Sequence, residues 1–192
     1  GGDESGGGEK LTGAGPAPVR RGDGCGIAHI SSGDLLRQHV RDQPSLGQTV
    51  QKYVDAGDLV PDAVVMDMLR KPVQAAAEAG GYVLDGFPRS VDQAKKAYEV
   101  AKGLGAHVKA SIHLDVPRDE LVRRLLARSR GSEDTKEVIE HRLEVYDQKT
   151  VPLLEYYGRR EWLVTIDGSM SVDDVHEAIV ERVTALSPSK TA

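Results

Sequence analysis

The sequence predicts an α/β fold in which a central parallel sheet is covered by helices on both faces. Short apolar runs alternate along the chain with longer segments whose apolar residues recur at helical spacing. Strands that alternate with helices in this way form parallel sheets, because each helical crossover returns the chain to the same direction. The 192 residues, 39% hydrophobic and 29% charged, have the size and balance of one globular domain.

The composition also excludes several classes of function. A formal net charge of -5 without a basic run speaks against a nucleic-acid partner. One cysteine, Cys25, allows neither an internal disulfide nor a cysteine-based zinc site. No apolar stretch has the length of a membrane span, and the N-terminus lacks the apolar core of a signal peptide. The sequence therefore predicts a soluble protein of the cytoplasm that contacts no membrane.

The N-terminal third changes character at Ile27. Residues 1–26 are rich in glycine, proline and arginine without periodicity, which predicts a flexible tail. "IAHI" then predicts a short strand, and "SSGDLLRQHV" a helix with Ser32 or Asp34 near its cap. "GQTVQKYVDAG" predicts a second helix that ends at Gly57.

The remaining elements follow in alternation. "PDAVVMDMLRKPVQAAAEAG" predicts a helix that Pro72 kinks or shortens. "YVLD" predicts a strand, followed by a helix from Val91 to Leu104, a strand in "ASIHLDV" and a helix in "PRDELVRRLLARSR". After the polar break "GSEDT", we expect a long helix from Lys136 to Arg159, a strand in "WLVTID" and a last helix that begins at Ser171.

One turn is predicted to lie at a functional site. Ligands of open α/β sheets bind beyond the carboxyl ends of the strands. In "YVLDGFPRS" an apolar strand runs directly into Asp85 and Arg89. A carboxylate and a guanidinium at this edge indicate an anionic ligand, since the guanidinium fork matches phosphate oxygens.

Five motifs, in order and spacing, resemble the adenylate kinase family, which interconverts ATP plus AMP with two ADP. They are "HISSGDLLR" (29–37), "GDLVPDAVVMDML" (57–69), "YVLDGFPRSVDQA" (82–94), "RLLARSR" (124–130) and "EVIEHRLEVYDQKTVPLLEYY" (137–157). The resemblance covers roughly residues 27–185. It implies a three-layer P-loop kinase fold, with ATP and AMP as partners, Mg²⁺ as cofactor and a monomeric state.

The resemblance also divides the single kinase domain, residues 1–192, into functional parts. Residues 1–26 stand where the phosphate-binding P-loop lies in the family. Residues 31–60 would form a small helical flap over the nucleoside monophosphate, and residues 127–134 a short lid. Glu133 and Asp134 fit the acidic pair that follows the lid arginine.

The residues implied to hold AMP surround both its base and its phosphate. They are Ser32, Arg37, Asp58, Leu59, Val60, Gly86, Phe87, Pro88, Arg89, Gln93, Arg130 and Arg142. Ser32 would lie near the adenine, and Gln93 would hydrogen-bond the purine edge. Arg37 and Arg89 would pair with the AMP phosphate.

A second set is implied for the ATP side and for catalysis. ATP would contact Gly13, Ala14, Gly15, Arg128 and Met170, and catalysis would depend on Arg89, Arg124, Arg128, Arg130, Arg142 and Asp85. Several fixed positive groups suit this chemistry, because the transferring phosphoryl group spreads negative charge over its oxygens. No direct metal ligand is expected; Asp85 and Asp34 would hold Mg²⁺ through retained waters.

The N-terminal region departs from the family pattern. Aligned back from Ser32, the phosphate loop falls on "GEKLTGAGP", with Ala14 at the lysine position and Pro16 at the hydroxyl position. Three explanations are open: a frame-shifted or misread stretch, a paralogue that binds nucleotide without fast chemistry, or recruitment of Lys10 through an irregular loop. Two alternative functions follow, a catalytically impaired nucleotide-binding protein and a UMP/CMP kinase. Relatives of the latter kind tend to carry alanine where Ser32 stands.

Overall fold

Strands and helices alternate in the computed structural model, which describes residues 20–21, 27–42, 44–128 and 134–186. The strands within these ranges are β1 (Arg20–Arg21), β2 (Ala28–Ser31), β3 (Tyr82–Asp85), β4 (Ser111–Asp115) and β5 (Leu163–Asp167). The helices are α1 (Ser32–Asp42), α2 (Pro44–Ala56), α3 (Asp62–Glu78), α4 (Val91–Gly103), α5 (Arg118–Arg128), α6 (Lys136–Val145), α7 (Val151–Gly158) and α8 (Val172–Leu186), with a π-helical turn over Tyr146–Thr150 between α6 and α7.

The described strands form two sheets, so the single central sheet that the sequence predicts is seen only in part within the described ranges. β2 pairs in parallel with β3, from Ala28 opposite Tyr82 to Ser31 opposite Asp85, and β1 adds an antiparallel edge to β2. β4 pairs in parallel with β5. The predicted α/β alternation with parallel strands is thus confirmed, whereas β3 and β4 are not joined within the described ranges.

Side chains of β3 and β4 border a common cavity. Val83 on β3 is 45% exposed, and Ile112 and Leu114 on β4 are 37% and 46% exposed. All three line a cavity of about 1990 Å³ that also reaches the carboxyl ends of the strands. Strands covered on both faces normally bury such residues.

Apolar side chains bury the contacts between helices and strands in two clusters. The larger one joins α2 and α3 to β2 through residues such as Val50, Leu69 and Ile30. A smaller one packs Ala94 of α4 against Leu153 and Tyr157 of α7. None of the helices in the described ranges combines the length and the hydropathy that a membrane span requires.

Three local predictions need correction. α3 runs from Asp62 to Glu78 through Pro72 without being shortened, because its buried face, which includes Leu69, holds the helix together across the missing backbone N–H. The predicted long helix is interrupted by the π-helical turn just before Pro152, whose ring and missing N–H disfavour regular α-helical bonding to the preceding turn. Arg20–Arg21, within the predicted tail, forms β1.

Candidate active site

The turn after β3 is built around Gly86. Its φ of +74° suits glycine, and a Cβ there would lie 2.9 Å from Ser32 Oγ and 3.2 Å from Arg89 Nη2. Arg89 donates from Nε to the Gly86 carbonyl oxygen at 2.7 Å, and Thr150 Oγ1 donates to the Arg89 carbonyl oxygen at 2.7 Å. Glycine therefore lets the first residue of α1, the turn and the guanidinium meet at one point.

Arg89 lies in a positively charged environment. Arg89 is exposed to the cavity that it lines, while the surrounding protein partly desolvates its guanidinium. This desolvation lowers the pKa of Arg89, and repulsion from Arg142 and Arg37 lowers it further while Asp85 opposes the shift. Arg89, Arg142 and Arg37 come from three separate elements and all line the same cavity.

The start of α1 carries two of the predicted side chains. Ser31, rather than Ser32 or Asp34, caps the helix, because its Oγ accepts the Asp34 backbone N–H at 3.3 Å. Ser32 is buried and donates to the Asp85 carbonyl oxygen at 3.1 Å. Arg37 turns back along the helix and pairs with Asp34 at 2.5 Å.

Asp134 connects two arginines at the other side of the cavity. Its side chain is fully buried and accepts Nε of Arg128 at 2.9 Å, while a second bond from Nη2 completes a bidentate pair. Nη1 of Arg142 lies 3.6 Å from the same carboxylate. One buried carboxylate thus orients a guanidinium from α5 and another from α6.

The end of α2 contacts α6 beside Arg142. Gly57 has φ +77°, and a Cβ there would lie 3.0 Å from both Arg142 Cγ and the Val138 carbonyl oxygen. The next residue, Asp58, lies 2.6 Å from Nε2 of His141. The predicted flap is therefore tied by its final turn to the helix that presents Arg142.

This contact predicts a pH-dependent stability. The hydrogen bond to Asp58 raises the pKa of His141, with a smaller contribution from Glu144 on the same helix. A raised pKa makes the protonated pair stabilising below the ordinary pKa of about 6.5, and that contribution is lost as pH rises through the higher folded-state value. We expect His141→Gln to lower the melting temperature at pH 6 and to have a smaller effect at pH 9. The same substitution at exposed His107 is the control, and equal effects of His141→Gln at both pH values would contradict the expectation.

The cavity brings together most of the residues that the sequence singles out, although their roles stay predictions. Its lining includes Ser32, Asp34, Arg37, Asp58, Leu59, Val60, Asp85, Gly86, Phe87, Pro88, Arg89, Gln93, Arg128 and Arg142. Gly13, Ala14, Gly15 and Arg130 lie outside the described residues.

Two predicted residues do not line the cavity. Arg124 donates to the carbonyl oxygen of Gly168 at 2.8 Å and to Glu120 at 2.7 Å, so it joins α5 to the turn after β5. Met170 belongs to that same turn and is 36% exposed. Arg124 and Met170 therefore lie near one another, outside the lining of the cavity that contains Arg89.

Several residues that orient the site were not assigned a role from the sequence. Thr150 holds the backbone of Arg89, and His141 holds Asp58. Asp62 binds Gln93 from the start of α3. Each contact joins positions at least 31 residues apart, so a local sequence pattern cannot predict it. Asp134 did carry a signal, the acidic pair after the lid arginine.

Comparisons with known proteins agree with this geometry. A family model described as "Adenylate kinase" matches residues 12–162. The chain is 42% identical over 162 residues to "Adenylate kinase" of Trichodesmium erythraeum (strain IMS101), a match that covers 82% of this chain and 84% of that protein. It is 45% identical over 152 residues to "Adenylate kinase 1" of Nostoc sp. (79% and 82% covered), and 39% identical over 171 residues to "Adenylate kinase" of Kocuria rhizophila (88% and 91% covered). The chain belongs to the adenylate kinase family of nucleoside monophosphate kinases.

Proposed function

We propose that the protein transfers a phosphoryl group reversibly between ATP and AMP to form two ADP. The observation that carries the proposal is that Arg89, Arg142 and Arg37, which belong to separate elements, line one cavity, where the other two guanidiniums repel that of Arg89. Like charges held close together in a partly desolvated space raise the free energy of the empty site, and a bound anion removes that cost. The transferring phosphoryl group is such an anion, and fixed positive groups stabilise it most when its charge is spread over its oxygens.

The AMP side of the proposal rests on the turn after β3 and on the flap. Arg37 and Arg89 would bind the AMP phosphate, and Arg37 would exchange its present partner Asp34 for it. Asp58, Leu59 and Val60 would wall the adenine. The two helices α1 and α2 within residues 31–60 would close over the nucleotide and exclude water, which would otherwise hydrolyse ATP.

The ATP side rests on the two arginines that Asp134 orients. Arg128 and Arg142 would neutralise the phosphates as the group transfers, and the lid over 127–134 would close on them. Met170, in the turn after β5, would contact the ATP base through its backbone. Arg124, which reaches that turn from α5 through the Gly168 carbonyl oxygen, would act on the transferring phosphoryl group and the ATP phosphates. The assignments of Gly13, Ala14, Gly15 and Arg130 follow from the family resemblance alone.

The proposal includes the three-layer P-loop kinase fold. In that fold one central sheet would contain both β3 and β4, with a further strand between them. Such a strand would cover the exposed side chains Val83, Ile112 and Leu114, which supports this arrangement. A monomer is the expected state.

Mg²⁺ would act with ATP, where it neutralises phosphate charge. Among the described residues there is no cluster of three or more His, Cys, Asp or Glu side chains that could enclose a metal ion. Asp85 has a side chain 62% exposed beside His29, and Asp34 has one 64% exposed. Two carboxylates that are separate and exposed to solvent are suited to bind Mg²⁺ through the water molecules that the ion retains, rather than as direct ligands.

A coupled assay of ADP formation tests the function and ranks the acceptors. We expect ATP to phosphorylate AMP with a kcat/KM at least about tenfold above that for CMP or UMP, because a site that pairs with one base leaves polar groups unpaired with another. A preference for CMP or UMP would support the alternative function, a UMP/CMP kinase.

The impaired alternative has its own support, since Ala14 stands at the position of the phosphate-loop lysine. Calorimetric binding of ATP or AMP without turnover of any acceptor would select it. Neither binding nor turnover would overturn the proposed function altogether.

A further inference from the structure

The side-chain amide of Gln93 is buried and held at both ends. Gln93 is 2% exposed. Its Oε1 accepts the backbone N–H of Arg89 at 2.8 Å, and its Nε2 donates to Oδ1 of Asp62 at 3.1 Å. A backbone N–H can only donate and an ionised carboxylate can only accept. Turning the amide over would set N–H against N–H and oxygen against oxygen, so these two partners allow one orientation.

Asp62 is itself kept in its ionised, accepting form. Lys96 donates from Nζ to Oδ2 at 2.8 Å, which leaves Oδ1 for Gln93. The hydrogen bond from Lys96 lowers the pKa of Asp62, and the bond from Gln93 adds to this against the opposing effect of desolvation. As the first residue of α3, the carboxylate also lies where the helix dipole favours negative charge.

The fixed amide has hydrogen-bonding capacity left for a ligand. Beyond the two contacts above, a primary amide has a second N–H and a second lone pair on its oxygen. Gln93 borders the cavity together with Ser32, Val60 and Arg89. A bound base at this wall would therefore meet a donor and an acceptor whose positions are set by the protein.

This polarity distinguishes two kinds of purine. A 6-amino purine has an exocyclic N–H donor beside an accepting ring nitrogen, whereas a 6-oxo purine has a carbonyl acceptor beside a ring N–H. For a given placement of the base, an amide that cannot turn over matches one of these patterns and opposes the other, and for the AMP of the proposed function the matching pattern is the 6-amino one. An amide that is free to turn over could match either.

We propose that Asp62, supported by Lys96, is a specificity-determining positioning residue that fixes the Gln93 amide and so favours 6-amino over 6-oxo purine monophosphates. The inference rests on the proposed function, in which Gln93 meets the purine edge. Asp62 need not contact the nucleotide, since it acts through Gln93.

The test compares AMP with inosine monophosphate, its 6-oxo analogue, in wild type and in Asp62→Asn. The asparagine keeps the size of the side chain, but Lys96 claims its oxygen and turns its NH₂ toward Gln93. We expect the preference for AMP, measured both as the ratio of kcat/KM values and as the ratio of calorimetric Kd values, to fall at least about tenfold. Asp62→Glu, which restores a carboxylate, should retain more of the preference.

Asp92→Asn is the matched control, because it removes the same charge from the exposed residue next to Gln93 in α4. Its preference should equal that of the wild type. If Asp62→Asn does not fold, Lys96→Met keeps the carboxylate but removes its support, and the preference should fall about threefold.

The outcomes distinguish a failure of this inference from a failure of the proposed function. An unchanged AMP preference in the folded Asp62 variant, or in Lys96→Met where that variant replaces it, overturns the inference and leaves the proposed function standing. Equal losses for both nucleotides also overturn it, since they indicate a merely structural role. A wild type that binds neither nucleotide overturns the proposed function and the inference together.

Discussion

Replacing Arg89 by alanine is expected to lower kcat/KM for AMP about a thousandfold, the order of effect seen when one preorganised cation of a phosphoryl-transfer site is removed. Arg89 lies in the turn that follows β3. Its side chain donates to the Gly86 carbonyl oxygen, and its own carbonyl oxygen accepts a hydrogen bond from Thr150. Its position is therefore set before any nucleotide arrives, which is what makes such a group effective in the transition state.

The same substitution should hardly change the stability of the protein without nucleotide. Alanine loses the hydrogen bond to Gly86, worth about 1 kcal/mol. It also removes the repulsion from Arg142 and Arg37 and the desolvation of the guanidinium, which act in the opposite direction. We expect the free energy of unfolding to stay within about 1 kcal/mol of the wild type. The stabilisation that AMP gives the wild type should be largely lost.

Thermal denaturation with and without AMP, alongside steady-state kinetics, would measure both effects. Arg159→Ala is a suitable control, because that side chain is 81% exposed and lies 3.9 Å from Glu155 on the surface of α7. Arg89→Lys should recover only part of the activity, since a single ammonium cannot reproduce the bidentate fork. Near-normal turnover in Arg89→Ala would remove this residue from the site.

Local patterns were sufficient to predict the elements that carry the site. The strand at Tyr82–Asp85 and the helix that follows it are found within one residue of their predicted bounds. Asp85 is the last residue of β3 and Arg89 follows in the next turn, so both lie at the predicted strand end. These features depend on residues close together in sequence, and the rule that parallel strands carry ligands at their carboxyl ends supplies the rest.

Features that depend on distant residues could not be predicted in the same way. Thr150 reaches the Arg89 carbonyl oxygen because α7, which directly follows the π-helical turn, packs against α4. The sequence predicts that Asp58 lies at the adenine but does not predict its hydrogen bond to His141. That bond depends on the packing of α2 against α6. The division of the described strands into two sheets likewise depends on pairing between strands far apart in sequence, which the pattern of each strand alone does not reveal.

Asp134→Ala should have the largest effect on stability among the substitutions considered. Removing one member of a buried ion pair leaves its partners without their compensating charge and typically costs 3–5 kcal/mol. Arg128 and Arg142 have side chains 34% and 26% exposed, so water compensates in part and we expect about 2–4 kcal/mol. Because a domain of this size loses about 2–4 °C per kcal/mol, calorimetry should show a clearly lower melting temperature.

The positive charge that remains on the two arginines in Asp134→Ala gives a second, independent test of the role of Asp134. Arg128 and Arg142 lose the carboxylate that orients them, so kcat should fall together with stability, while an anion gains a stronger site between them. Phosphate should therefore raise the melting temperature of Asp134→Ala by more than it raises that of the wild type. Asp147→Ala, which breaks the pair with Arg118 in which both side chains are more than half exposed, should change stability by less than about 1 kcal/mol and respond to phosphate as the wild type does. Equal stability losses in the two variants, with equal responses to phosphate, would mean that Asp134 does not organise the arginines of this cavity.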